Sequence, residues 1–116
     1  MSNLVVSNIS DGTTSVGTGY VVNGSAKAWL EASSSASLNN SHNISSGVDN
    51  GTGNYTYSFV SSFSGNWSPS GIVTQNSSYI EYLQTLSAGS GQLRVSSDSG
   101  APVDSSNAMT IHGDLA

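Results

Sequence analysis

The sequence predicts an all-β chain, an antiparallel β-sandwich or barrel-like module of seven or eight short strands. Three observations carry that prediction. Apolar and polar side chains alternate with period two through several short segments, the pattern of a strand with one face buried. Gly, Ser and Asn bound those segments, which sets turns at near-regular intervals. Charged residues make up only 8% of the chain, against about 25% in an ordinary domain, so hydroxyls and amides take outward positions that charges usually hold. Low charge also suits a disordered linker, but such linkers are poor in aromatics and high in net charge. Here Tyr55, Tyr57, Phe59, Phe63, Trp67, Tyr79 and Tyr82 crowd the middle of the chain.

The first predicted strand is "AKAWLEA", residues 26–32, with Ala26, Ala28, Leu30 and Ala32 on one side and Lys27, Trp29 and Glu31 on the other. Residues 42–60 follow as one β-hairpin. In its second arm Tyr55, Tyr57 and Phe59 share a face opposite Thr56, Ser58 and Val60. "SHNISSGV" is the partner arm, and Asn50-Gly51 is a strong turn signal because both residues tolerate positive φ. Gly53 then allows a bulge or a second reversal. A tight turn fixes register, and register decides which way the aromatics face. "SGIVTQ" (70–75), "SYIEYLQTL" (78–86), "GQLRVSS" (91–97) and "NAMTIHG" (107–113) complete the set. The second of these also fits one or two helical turns, but its flanks, "QNSS" and "SAGSG", favour a strand.

Many alternation slots that a core needs apolar hold Ala, Ser or Thr. A domain of 116 residues buries a modest fraction of its surface in any case, and few charges guard the strand edges. Burial against identical copies would answer both problems, so self-association is expected.

The net charge of −5, with Lys27 and Arg94 as the only cations, argues against nucleic acid, whose phosphates call for Lys and Arg, and against electrostatic binding to an anionic membrane. Without cysteine there is no disulfide, thiolate nucleophile or zinc-finger ligand set. "MSNLVVSNISDG" lacks the basic and apolar regions of a secretion signal, and no apolar run approaches the roughly 18 residues of a membrane span. The expectation is a soluble product made in a cytoplasm. Asn8-Ile9-Ser10, Asn43-Ile44-Ser45 and Asn66-Trp67-Ser68 match a glycosylation acceptor, but a Ser- and Asn-rich chain generates such triplets by chance.

No catalytic residue, cofactor or metal is expected. Glu31 and Glu81, the only glutamates, are the one candidate pair for sugar cleavage, and each lies mid-strand where solvent exposure explains it. His42 and His112 lack the nucleophile elbow that would make either a base for serine chemistry. Only around a threefold axis would copies of His112, assisted by Asp114, offer a workable ligand set. "DNGTGN" does not match a calcium loop. The candidate recognition surface is "FSGNWSPSG" with Trp67, joined by Tyr79 and Tyr82. Exposed rings stack on sugar faces while Asn and Ser bond to hydroxyls. The competing reading of Trp67 is a loop anchor or a subunit contact, and Trp29 reads as core or interface.

Tyr20–Gly24, Ser25–Trp29, Asn43–Ser46 and Asp49–Thr56, read in order as a YVVNG-[ST]-AKAW segment, an NVSS-type strand and a DNGTG-[DN]-YT hairpin, resemble a module of bacteriophage tail-fibre and other virion structural proteins. Val103–Ser106 and Gly113-Asp114 are similar to the family's closing strands. The resemblance spans about Gly19 to Asp114. It implies a homotrimer, with residues 1–18 as an arm or attachment segment and residues 19–116 as the fibre-type module. It also implies location in a virion assembled in the host cytoplasm, beside tail, baseplate or capsid proteins. The expected role is non-enzymatic attachment to a host-surface glycan. The alternative is a capsid decoration or head-fibre protein with no receptor role, its arm laid on neighbouring subunits.

Overall fold

Period-two alternation becomes burial wherever a strand lies between two sheets. In the computed structural model, which describes residues 1–65, 67–73 and 78–116, the described residues form ten strands and one helix. In order these are β1 (Asn8–Ser10), β2 (Ser15–Gly17), α1 (Thr18–Gly24), β3 (Ala28–Ala32), β4 (Leu38–His42), β5 (Ile44–Gly51), β6 (Asn54–Phe59), β7 (Ser68–Val73), β8 (Tyr79–Leu86), β9 (Ser90–Ser97) and β10 (Asn107–His112). Two four-stranded antiparallel sheets result, ordered β4-β3-β10-β7 and β5-β6-β9-β8, besides a small β1–β2 hairpin. The all-β prediction therefore holds, with α1 as an addition. The end of the predicted strand "SGIVTQ", at Thr74 and Gln75, and the acceptor Asn66 lie outside the described residues.

The two inner faces supply the core. Ala28, Leu30, Ala32, Met109 and Ile111 come from the first sheet, and Tyr55, Tyr57, Phe59, Leu93 and Val95 from the second. Phe63 and Trp67 fill one end from the β6–β7 connection. The expectation of a core left unfilled without a second copy is therefore not met. The small slots at Ala28 and Ala32 are offset by large aromatics, each worth about 1.5–3 kcal/mol or more on burial, so the sandwich closes on its own side chains.

The chain crosses between sheets at Asn43, which adopts a left-handed φ of 58° that Asn tolerates better than most residues. Its amide is held at both ends, donating to the Ser61 carbonyl (3.1 Å) and accepting from the Ser61 amide (2.7 Å). The 42–60 hairpin also forms, with its reversal shifted. Gly51 pairs with Asn54, so Thr52-Gly53 make the turn and Asn50 is a bulge. The shift has a cause: Gly53, at φ 64°, donates its amide to Asp104 Oδ1 (2.8 Å). A Cβ there would lie 2.3 Å from the Val95 carbonyl oxygen. Docking of the hairpin tip on residues 103–104 thus overrides the local preference of Asn50-Gly51.

Four edge strands flank the sheets, and each is blunted without charge. Extra residues interrupt the register at position 39 of β4, positions 45 and 50 of β5 and position 84 of β8, and Pro69 sits in β7. Bulges and edge prolines hinder pairing with another chain, which removes the edge liability expected from composition.

Two tyrosine hydroxyls tie the layers together. Tyr57, fully buried on β6, donates to Asn107 Oδ1 on β10 (2.9 Å) in the opposite sheet. Tyr55 donates to the Ser34 carbonyl (3.0 Å) and accepts from the Ser105 amide (3.2 Å). Tyr57→Phe should lower stability by about 1–3 kcal/mol, because Asn107 is left with an unmet buried acceptor. Ser58→Ala, on the outward side of the same strand, should stay within about 0.5 kcal/mol. Urea midpoints check this, and equal shifts for the two variants would contradict it.

Candidate recognition surface

Successive residues of a strand point to opposite faces, and this separates residues grouped above by sequence proximity. On β8, Tyr79 faces inward and packs against the core while Tyr82 faces outward and is 50% exposed. Trp67 joins neither. It is 6% exposed and stacked edge-on against Phe59 at 5.4 Å between ring centres. Its indole N–H donates to the Ser87 carbonyl (2.8 Å). Gly91 makes the space, since a Cβ there would lie 2.8 Å from the indole Cη2. The expectation of an accessible Trp67 is therefore corrected: the apolar ring gains more from closing the end of the sandwich than from facing water, and the loop-anchor reading describes it. Trp29 is also misplaced as a core residue, lying on the outer face of β3 and 37% exposed.

What surrounds Tyr82 was not foreseen. Strand register sets Tyr82 opposite Arg94, and Arg94 opposite Asn54, in one row across β8, β9 and β6. The neighbouring row carries Val48, Thr56 and Gln92, and Asn50 donates to Thr56 Oγ1 (2.8 Å). Asn54 Oδ1 is buried with no hydrogen-bond partner among the described residues. The outer face of the second sheet thus offers one aromatic ring bordered by amides, a hydroxyl and a guanidinium. A ring that stacks beside donors and acceptors in fixed rows suits a polyhydroxylated ligand. Alternation within "SYIEYLQTL" and "GQLRVSS" was the signal for Tyr82 and Arg94 separately; their meeting needed the register.

The two glutamates do not share a site. Glu31 faces solvent from β3 in the first sheet, whereas Glu81 points between the sheets from β8, with Oε2 buried and unpartnered among the described residues. The expectation that solvent exposure explains Glu81 is corrected. A Cβ on Gly71 of β7 would lie 1.9 Å from Glu81 Oε1, so the glycine makes room for the carboxyl. Burial without a compensating charge pushes its pKa up to about 8. His112 ends β10 half-buried, in register with Ser68, and Asp114 is exposed. Among the described residues no three His, Cys, Asp or Glu side chains cluster as metal ligands, and no helix is long and apolar enough to cross a membrane.

Trp67→Ala should destabilise the chain by about 3–5 kcal/mol, and Tyr82→Ala by no more than about 0.5 kcal/mol. Thermal melts decide it, and a harmless Trp67→Ala would contradict the anchor assignment. Glu81 has a pH signature. The folded chain holds its proton up to about 8 while the unfolded chain releases it near 4.3, so the folded state binds more protons between those values. Stability therefore falls as pH rises through that window and levels off above it. Glu81→Gln should raise stability at pH 8 by on the order of 5 kcal/mol and leave it nearly unchanged at pH 4. Equal melts of the two proteins at pH 8 would contradict the buried carboxyl.

Comparison of the chain with protein-family models, with curated proteins and with solved structures finds no match among any of the three.

Proposed function

We propose that this chain is a non-enzymatic structural protein of a bacteriophage virion, a displayed β-sandwich of the tail-fibre or receptor-binding apparatus that attaches to the host surface as a homotrimer. The observation that carries this reading is the contact between the segments that bear the family resemblance. The tip of the Asp49–Thr56 hairpin docks on Val103–Ser106 through Gly53, Tyr55, Asp104 and Ser105. The hairpin and closing segments that bear the resemblance thus pack together within the sandwich, whereas Tyr20–Gly24, which also bear it, lie exposed in α1. The outward face around Tyr82 is the part free to meet a host glycan, and three copies on one axis raise avidity by orders of magnitude over a weak single site.

A second reading, capsid decoration, has its own support. None of residues 1–24 is buried, as befits an arm laid on neighbouring subunits. The first sandwich strand begins at Ala28, so the expected 1–18 arm would lead into the sandwich through α1.

Light scattering at micromolar concentration should give about three times the 11.8 kDa chain mass. Fluorescently labelled protein should be retained on cells of a susceptible bacterial strain, and Tyr82→Ala should reduce retention about tenfold. Retention on purified capsids alone, with protection against heat, supports decoration instead. Binding to neither overturns both readings.

A further inference from the structure

Residues 1–24 stand apart from the sandwich in kind. All nine of their large apolar side chains are exposed, and Asp11 is their single charged side chain. Their shape is nonetheless fixed by polar bonds. Thr18 Oγ1 donates to the carbonyl of Val6 (2.9 Å) and the Thr18 amide to that of Ser7 (2.9 Å), pinning the start of α1 to the chain before β1. The Lys27 ammonium closes the other end of the helix on the carbonyls of Val22 and Ser25, where a cation is favourable. Between these two ties lies a groove of about 340 Å³ lined by Leu4, Val5, Val6, Ile9, Val21 and Val22.

We infer that this groove is a self-association surface, in which the apolar face of residues 4–22 packs against the same segment of another copy of this chain. Four observations favour a copy as the occupant. The segment carries both shapes that a contact needs: the groove is open, its lining residues Leu4 and Val5 being 84% and 91% exposed, and beside it Tyr20 stands out at 80% exposure. Its eight large apolar side chains from Leu4 to Val22 are each 39–91% exposed, which leaves on the order of several hundred Å² of apolar surface in water, the scale of the ~800 Å² that each partner contributes to a standard interface. Copies carrying a charge of −5 each can meet here with little repulsion, since Asp11 is the only acidic residue of the segment and sits in the β1–β2 turn. There the amides of Thr14 and Thr13 hold its carboxyl below the usual carboxylate range. Finally, the sandwich closes its core on its own side chains and blunts its four edges, so copies are not drawn together through its strands.

This rests on the reading of the chain as an assembly component and says which part of it makes the contact. The test uses the full chain beside Val5→Asp, outside the helix, and Val22→Lys, within its last turn, where a cation does not oppose the helix dipole. Val60→Asp, at an exposed position just after β6, is the control. The full chain and the control should scatter as a multiple of 11.8 kDa. The two variants should fall to the single-chain mass at the same concentration, with the wild-type far-ultraviolet dichroism. Variants that keep the wild-type mass overturn the inference, while the assembly reading stands through another contact. A full chain of single-chain mass overturns it too, and flotation of that chain with phosphatidylcholine vesicles would assign the face to lipid. Cell retention is scored separately, so loss of the inference and loss of the attachment reading remain distinct.

Discussion

The sandwich depends on placing two tyrosine hydroxyls in a dry interior. An unpaired hydroxyl there costs about 1–3 kcal/mol, so β6 is compatible with only one arrangement of its surroundings. Tyr57 requires Asn107 from the opposite sheet, and Tyr55 requires the backbone near Ser34 and Ser105. Burial raises the pKa of both phenols, in keeping with groups that act as neutral hydrogen-bonding atoms. Satisfying them fixes the spacing between sheets and the path of residues 101–106. It also fixes the position of the hairpin tip, through Asp104 and Gly53. A core of simple hydrocarbons would have filled the space without selecting that register.

The same economy of charge shapes the outside. With Lys27 engaged at the end of α1, the surface is largely hydroxyl and amide, and bulges and one proline take over edge protection that Lys and Glu provide elsewhere. A surface with so few cations does not gather polyanions. It presents fixed hydrogen-bonding groups whose strength depends little on salt. That agrees with the proposed use as a displayed adhesive head, in which the sandwich supplies the geometry and copy number supplies the affinity.

Glu81 is the exception within this design. A carboxyl set between the sheets weakens the seam between β7 and β8 as pH rises, and Gly71 exists in a conformation that accommodates it. Residues 1–24 are an exception of the opposite sign, with apolar side chains left in water beside a sandwich that does not need them.

Sequence by itself determined the local terms. Alternation in residues 26–32, 54–59, 91–97 and 107–112 declared the strands and their inner residues, because a half-buried strand leaves a period-two trace that needs no partner to be read. Composition declared a surface of hydroxyls and amides. Tertiary structure decided whatever depends on a neighbour distant in the chain. It moved the reversal from Asn50-Gly51 to Thr52-Gly53, since Asp104 binds Gly53 from 51 residues away. It buried Trp67 in the space that Gly91 leaves, and turned Glu81 inward against Gly71. Tyr82 joined Arg94 and Asn54 only when β9 came to lie between β8 and β6. Side-chain direction is encoded one residue at a time, but company on a face is set by pairing, and pairing is settled by the whole chain at once.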